Sequence, residues 1–545
     1  MIVDVRDATV RYRSTGQQVL HGVDLAVERG DFVLVAGPSG CGKSTLLRLL
    51  NGLVPHAYRA EVTGRVEIGG RPALEQSIRQ LSTVVGTLLQ DPAKQIVGTT
   101  VATELAFGPE NLGLPRAEIR ARIDEVAARV GIAHLLARPT HELSGGELQM
   151  VAFAGVLVMR PDVVVVDEPL ANLDPDAGRR LLGALRRFVD DGGAAVVVEH
   201  RVEELLEFGP EKALYLEEGR IRYSGDISGF LRQAPVAHVK LPFETLVARA
   251  AELPSLPEPA RPARTGPSRL AYKNVSLGYG SRTVLHDTDL DLKADERVAV
   301  LGRNGAGKST LLRAAVRLLE PTGGEILVDG EPVGERDTLS LATTFGYVFQ
   351  NPGQALFSAT VQEELAFGPR NLGQDPEQIA EVSREALATM LLDREPGIMS
   401  RPPHTLSHGQ QRRLTVALAL AMRPRTLVLD EPTAGQDLRT TTTFMDRVLD
   451  GVQSVYFITH DVDLALTRAD RIVIVDGGRV VADAAPAELA HDERLWTGSG
   501  LRETSLVRAV RDLLPGKGAM AKGAMAKGAI PHPFELARSG RTHLP

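Results

Sequence analysis

The sequence predicts an α/β protein made twice over: two tandem domains, each built around a largely parallel sheet. Three observations predict it. The chain of 545 residues repeats its own motifs in the same order at a nearly constant offset. Short, wholly apolar runs end in glycine-rich or acidic turns, as buried parallel strands do. Amphipathic stretches alternate with those runs, which argues for strands and helices interleaved in each half.

The repeat comes first because it sets the domain count. GPSGCGKS at Gly37–Ser44 recurs as GRNGAGKS at Gly302–Ser309, an offset of 265. LLQDP around Gln90 returns as VFQNP around Gln350, and ELAFGPENLG from Glu104 returns as ELAFGPRNLG from Glu364, both at 260. LSGGE from Leu143 returns as LSHGQ from Leu406, and the Asp-Glu pair before Pro169 returns before Pro432, both at 263. His200 and His460 are 260 apart. The blocks divide the chain into a first domain over 1–232 and a second over 269–496. Between them, the five prolines from Pro254 to Pro267 mark an extended linker over 233–268. The extension 497–545 carries repeated KGAMA, cannot build a core and is expected to be flexible.

Each element has its own signal. Phe32–Ala36 and Arg297–Leu301 read as buried strands running into glycine-rich turns, followed by helices over Ser44–Leu50 and Ser309–Leu319. Val163–Val166 and Thr426–Leu429 read as buried parallel strands. Pro115 opens a helix with Ile119, Ile123, Val126 and Val130 on one face, and Gly131 stops it. The stretch 105–160 is mostly helical and forms a subdomain.

Composition excludes several classes. Apolar residues are 43% and charged residues 24%, ordinary for a globular chain. No run approaches the roughly 18 apolar residues of a membrane span. With 62 basic and 69 acidic residues the net charge is −7, so no nucleic-acid partner is expected. The lone Cys41 excludes an intrachain disulfide and fits a reducing cytoplasm. The N-terminus has no signal-peptide pattern.

The motifs carry phosphate chemistry. Both glycine-rich segments fit G-x-x-x-x-G-K-[ST], whose backbone amides close around phosphate oxygens at a helix N-terminus. The first comprises Gly37, Ser39, Gly40, Cys41, Gly42, Lys43, Ser44 and Thr45. The second comprises Gly302, Asn304, Gly305, Ala306, Gly307, Lys308, Ser309 and Thr310. Lys43 and Lys308 would reach the β- and γ-phosphates, and the Ser44 and Ser309 hydroxyls would ligate Mg²⁺. Asp167 and Asp430 end apolar strands where a carboxylate can hold the metal. Glu168 and Glu431 follow directly; neighbouring strand residues point to opposite sides, so the second carboxylate can orient an attacking water.

With the LSGGE segment before a helix and a glutamine after the third strand, the chain resembles the ATP-binding cassette (ABC) ATPases over about 1–230 and 269–490. The resemblance implies two tandem P-loop domains, each with a RecA-like mixed sheet and a helical signature subdomain. It implies ATP and Mg²⁺ as cofactors, with ATP clamped between the two halves of an intramolecular pseudo-dimer. The signature loops would then meet nucleotide through Ser144, Gly145 and Gly146 in one half and Ser407, His408 and Gly409 in the other. His408 stands where the family usually has glycine, which would make the site pairing Lys43 with Ser407 the slower one. The resemblance places Tyr12 and Tyr279 on adenine, with a core tyrosine as the alternative. It places Gln90 and Gln350 at the metal or the water, His200 and His460 at the γ-phosphate, and Asp174 and Asp437 at the interface between halves.

The segments TVATELAFGPENLGL and TVQEELAFGPRNLG resemble, more narrowly, the fused ATPase subunit of an energy-coupling-factor (ECF) importer of the cobalt/vitamin type. That resemblance implies a transmembrane coupling subunit docked beside Gln90 and Gln350, and a separate substrate-binding membrane subunit. It implies location at the cytoplasmic face of the cell membrane, with a vitamin, vitamin precursor or metal ion as cargo. Asp91, Glu104, Glu363 and Glu364 would be candidates to receive arginines from the partner, and Ala355 departs from the glutamine expected by analogy with Gln95. Two alternatives stay open: a tandem ATPase of monosaccharide import, and a soluble ABC-F translation factor.

Overall fold

The computed structural model describes residues 1–171, 173–236, 238–250, 266–433, 436, 438–498 and 501–513. The chain divides into two compact units, the first built on Met1–Arg249 and the second on most of the remaining chain.

In the first unit five strands run parallel in the order Val85–Leu88, Val163–Asp167, Ala194–Val198, Phe32–Ala36 and Lys212–Glu217, with Arg220–Asp226 antiparallel at the edge. The strand period of two splits this sheet between two cores. Val33, Val35, Val163, Val165, Val196 and Val198 face the helix Lys43–Leu50 and an antiparallel sheet made of Gln18–Val27, Val3–Tyr12, Ala60–Ile68 and Arg71–Pro72. Phe32, Leu34, Val164, Val166, Ala195 and Val197 face the helices Gly145–Val158 and Pro175–Asp190. Both faces are covered, so the strands are apolar throughout, as the sequence predicts.

The second unit repeats the plan. Phe345–Val348, Thr426–Asp430, Ser454–Ile458, Arg297–Leu301 and Arg471–Asp476 are parallel neighbours, and Arg479–Ala484 closes the edge antiparallel.

The expected helical subdomain is present in both units. Helices Val101–Leu112, Arg116–Val130 and Gly145–Val158 pack together in the first, and Val361–Asn371, Pro376–Thr389 and His408–Ala421 in the second. Arg116–Val130 begins after Pro115 and ends at left-handed Gly131, with Ile119, Ile123, Val126 and Val130 buried.

Three expectations are corrected. The helix after the second glycine-rich loop ends at Ala315, not Leu319: Arg317 is left-handed, and Leu318 and Arg317 amides return to the Arg313 and Ala314 carbonyls in a Schellman closure. The segment from 233 is not extended at its start. Ala234, Val236, Val239 and Leu241 are buried in the first unit's core, and Phe243–Ala250 is helical. The extension from 497 likewise begins in structure: Ser505–Leu513 is a helix with Leu506, Val507 and Val510 buried, and Thr504 donates to Asp463 at 2.6 Å. The KGAMA repeats and most of the proline-rich stretch lie outside the described residues.

Candidate functional site

Four candidate loops in each unit leave the carboxyl ends of the parallel strands, where open α/β sheets gather ligands, while the signature serines start helices of the subdomain and Tyr12 and Tyr279 end antiparallel strands. Phe32–Ala36 runs into the glycine-rich loop, Val85–Leu88 into Gln90, Val163–Asp167 into Glu168 and Ala194–Val198 into His200. The sheet order thus collects residues far apart in sequence, and the second unit does the same for its own set.

The glycine-rich loop needs its glycines for two reasons. A Cβ on Gly37 would fall 2.1 Å from the Leu216 carbonyl oxygen, so the backbone passes where no side chain fits. Gly40 is left-handed (φ +77°) over open space, leaving a bare concave turn. Lys43 is buried and donates from Nζ to the Gly37 and Pro38 carbonyls at 2.8 and 2.9 Å. Lys308 grips Gly302 and Arg303 the same way, at 2.9 and 2.8 Å. Each ammonium is therefore held under its own loop, ahead of an eight-residue helix.

The paired carboxylates are built by a turn, not by the strand's pleat. Glu168 and Glu431 lie just past their strands in the left-handed region (φ +44° and +48°), each closed by an amide bond to the neighbouring strand, to Val198 and Ile458 carbonyls at 3.0 and 3.2 Å. Non-glycine residues there store about 1–3 kcal/mol of strain, which the surroundings must hold. The side chains are gripped accordingly. Gln90 donates to Glu168 Oε2 at 2.9 Å and His200 Nε2 lies 3.0 Å from Oε1. Gln350 donates to Glu431 Oε2 at 3.2 Å and His460 Nε2 lies 2.7 Å from Oε1. Burial alone would raise the Glu431 carboxyl, but His460, Lys308 and Arg412 together hold it below the ordinary glutamate range.

The preceding aspartates run the other way. Burial, reinforced by the neighbouring glutamate charge, pushes Asp167 above the usual carboxylate range against the pull of the Ser44 hydroxyl and Lys43. Asp430 is likewise raised by burial; Ser309 Oγ donates to its Oδ1 at 3.0 Å and Tyr347 to its Oδ2 at 3.2 Å. Each unit thus pairs a hydroxyl and a carboxylate, hard oxygen donors of the kind Mg²⁺ takes. These residues fit that ion.

Tyr12 is half-buried with its hydroxyl 3.1 Å from Thr45 Oγ1, while Tyr279 is exposed, its hydroxyl facing Arg313. Ser144 and Ser407 each cap their signature helix. The Glu147 and Gln410 amides donate to the hydroxyls at 3.3 Å, and the side chains of those residues accept from the serine amides at 2.8 and 2.9 Å. Gly145, Gly146 and Gly409 lie in the first helical turn beside them. Asp174 caps the helix Pro175–Asp190 through the Ala177 amide at 2.8 Å. Asp437 lies outside the described residues.

The acidic set beside the glutamines divides. Glu104 and Glu364 are buried, each using one oxygen to take two loop amides: Val97 and Gly98 at 2.8 and 2.6 Å, Phe357 and Ser358 at 2.9 and 2.8 Å. They anchor these loops through Oε2. Asp91 takes the Ala93 amide at 3.2 Å and lies 3.6 Å from Lys94, whereas Glu363 is exposed.

Reading the sequence missed three residues that frame these groups: Glu199, Tyr347 and Arg412. Buried Glu199 accepts the His200, Arg201 and Leu170 amides at 2.7, 3.0 and 3.3 Å, joining the two loops that carry His200 and Glu168. The signal available was the comparison of halves, since Thr459, Thr87 and Gln149 occupy the matching positions.

Comparison with known proteins agrees with this geometry. The family model described as "ABC transporter" matches residues 20–171 and 285–434. A protein of Methanosarcina acetivorans described as an ABC transporter ATP-binding protein is 34% identical, covering 94% of this chain and 90% of its own. One from Streptococcus pneumoniae with the same description is 32% identical, covering 94% and 96%. The solved structure of cbiO1 from Clostridium perfringens, described as part of the ABC transporter complex cbiONQ, aligns at 29% identity and a TM-score of 0.40 over 46% of this chain and 95% of its own. With both glycine-rich loops and both acidic strand ends inside the matched ranges, the chain belongs to the ABC transporter family, as an ATP-hydrolysing, ATP-binding subunit with two tandem P-loop domains.

Proposed function

We propose that the chain powers import of the energy-coupling-factor type, moving a vitamin, vitamin precursor or metal ion through separate membrane subunits. The observation that carries this reading lies just after each glutamine. Val97 and Phe107 in the first unit are 60% and 52% exposed, and Phe357 and Phe367 in the second are 67% and 49% exposed. The two phenylalanine rings meet edge to face with centroids 5.0 Å apart. Large apolar side chains left in water at matching positions of both units suit the apolar face of a partner's helix. The loops bearing Val97 and Phe357 are pinned by Glu104 and Glu364, so each apolar pair is presented on a fixed frame. Among the described residues no helix is long and apolar enough to cross a membrane, so the transported compound needs other chains to carry it.

In this reading the first ATPase domain spans 1–232, with the residues that follow to Leu241 closing its core, the second spans 269–496, and the halves clamp two ATP molecules as a pseudo-dimer. The loop amides, Lys43 and Lys308 bind phosphate. Tyr12 and Tyr279 stack on adenine. Ser44, Asp167 and Gln90 hold Mg²⁺ in one half and Ser309, Asp430 and Gln350 in the other. The metal supplies charge neutralisation on the transferring phosphoryl group. Glu168 and Glu431 orient water, while His200 and His460 hold each carboxylate and face the γ-phosphate. The chain sits at the cytoplasmic face of the membrane, held there by its partners.

The test is affinity purification of the full chain from native membranes. Integral membrane proteins should co-purify and should be lost from V97S/F107S/F357S/F367S, which keeps ATPase activity. Co-sedimentation with ribosomes, or no membrane protein with the unaltered chain, would refute the proposal.

A further inference from the structure

The second signature helix differs from the first at several positions, among them His408 for Gly145, Gln410 for Glu147 and Arg412 for Gln149. Two of these changes are one structural unit. Arg412 is 7% exposed. Its Nη1 donates to the Glu431 carbonyl oxygen at 2.9 Å and its Nε donates to His408 Nε2 at 3.3 Å. A guanidinium buried in protein is costly unless its donors are used, and here they join two loops. One end is the first turn of the signature helix. The other is the left-handed residue whose side chain is gripped by Gln350 and His460. Glu431 is therefore fixed at both its backbone and its carboxylate. In the first unit the matching Gln149 is buried and sends its amide to the Leu89 carbonyl at 3.5 Å, toward the Gln90 loop.

We propose that Arg412 is a positioning residue for the Glu431 carboxylate and that His408 is the other end of its tether. The start of the signature helix and the turn bearing Glu431 then shift as one piece in the second unit, and as separate pieces in the first. A side chain at 408, where the family usually has glycine, serves this internal link as well as any contact with nucleotide. The inference rests on the reading of Glu431 as the residue that orients water.

The test uses the full chain in two backgrounds. In E168Q the turnover is read through Glu431, and in E431Q through Glu168. In E168Q, R412Q should lower kcat about tenfold, the scale expected when a reacting group loses its placement, with KM for MgATP within about twofold. R412K keeps a cation and a donor for the Glu431 carbonyl, and should restore most of the loss. In E431Q, R412Q should stay within about twofold. H408G should lower kcat in E168Q less than R412Q does, and H408G/R412Q should be no worse than R412Q, because both cut one tether. Equal losses in both backgrounds would overturn the proposal. So would unchanged turnover in E168Q/R412Q, failure of R412K to rescue, or additive H408G and R412Q effects. If R412Q alone fails to fold, R412K and H408G still decide between these outcomes. Residual turnover in E168Q/E431Q would instead refute the role of Glu431, leaving the tether as a separate matter.

Discussion

Removing the Glu104 carboxylate should loosen one short loop and little else. Its Oε2 takes the Val97 and Gly98 amides at 2.8 and 2.6 Å, from a side chain that is 8% exposed. The loop lies so close that a Cβ on Gly98 would sit 2.4 Å from the Glu104 amide nitrogen. A hydrogen bond to a charged group is worth about 1.5–3 kcal/mol, and two that share one oxygen near solvent sum to about 2–4 kcal/mol for E104A. At about 1.4 kcal/mol per decade, that is a fall of about 30- to 700-fold in hydrogen-exchange protection of these two amides. E104Q keeps an acceptor oxygen and loses only the charge, so its fall should be about fivefold. Exchange measured by mass spectrometry on peptides spanning 95–100 reads this directly. The matching Phe357 and Ser358 amides, bound to Glu364, form a control that E104A should not move. Protection within about threefold of the parent in E104A would refute the anchoring argument.

Burial holds Asp430 above its ordinary value, so folding disfavours its charged form; that penalty is present at neutral pH and relieved as pH falls through the raised value. D430N should therefore raise the melting temperature of the nucleotide-free chain by about 1–4 °C in a calorimetric scan at pH 7, and a lowered value would contradict this. Glu431 has the opposite sign: held low by His460, Lys308 and Arg412, its charge stabilises the fold above the unfolded-state value and is lost as pH falls through the depressed one. The destabilisation by E431Q should thus be plain at pH 7 and absent once both carboxyl forms are protonated in acid. Cys41 is 7% exposed and burial pushes its thiol up, so maleimide should label the folded chain at least about tenfold more slowly than the urea-unfolded chain at the same pH; equal rates would place the thiol elsewhere. If His408 slows the site that pairs Lys43 with Ser407, E431Q should cut ATP turnover more than E168Q, and equal losses would remove that asymmetry.

Much of the fold was legible because the strands are short, apolar and punctuated by motifs that appear twice. Phe32–Ala36 and Arg297–Leu301 stand where apolar runs meet glycine, and Pro115 and Gly131 bracket their helix as fixed φ and left-handed freedom require. What escaped was set by tertiary context. The proline-rich stretch suggested a linker beginning at 233, yet Val236, Val239 and Leu241 carry enough apolar surface to close the first core before that stretch starts. Glu104 and Glu364 read as surface acids because a carboxylate on a helix is ordinarily solvated; only the folded loops at 97–98 and 357–358 bring amides over them. The aim of Glu168 came from a left-handed turn and not from strand alternation, a backbone state that no local pattern announces.

The two halves act as controls for each other. Where a backbone path leaves no choice, they agree: a Cβ would meet the Leu216 carbonyl at Gly37 and the Val475 carbonyl at Gly302, at 2.1 and 2.0 Å, and each lysine lies on two carbonyls of its own loop. Where a function can be met by more than one geometry, they part. The loop after the acidic strand is tied to the histidine loop by Glu199 in the first unit, whereas in the second the Thr459 hydroxyl accepts its local Asp461 amide, at 3.0 Å, and Arg412 supplies a tie from the signature helix. Asp430 has a tyrosine donor where the first unit has Thr87 bonded to Asn51. The groups that would touch phosphate and metal are thus alike, and the supports behind them are not. Two sites of equal chemistry but different bracing respond differently to the same strain, so a mechanical load on the loops beside Gln90 and Gln350 would reach Glu168 and Glu431 along different routes.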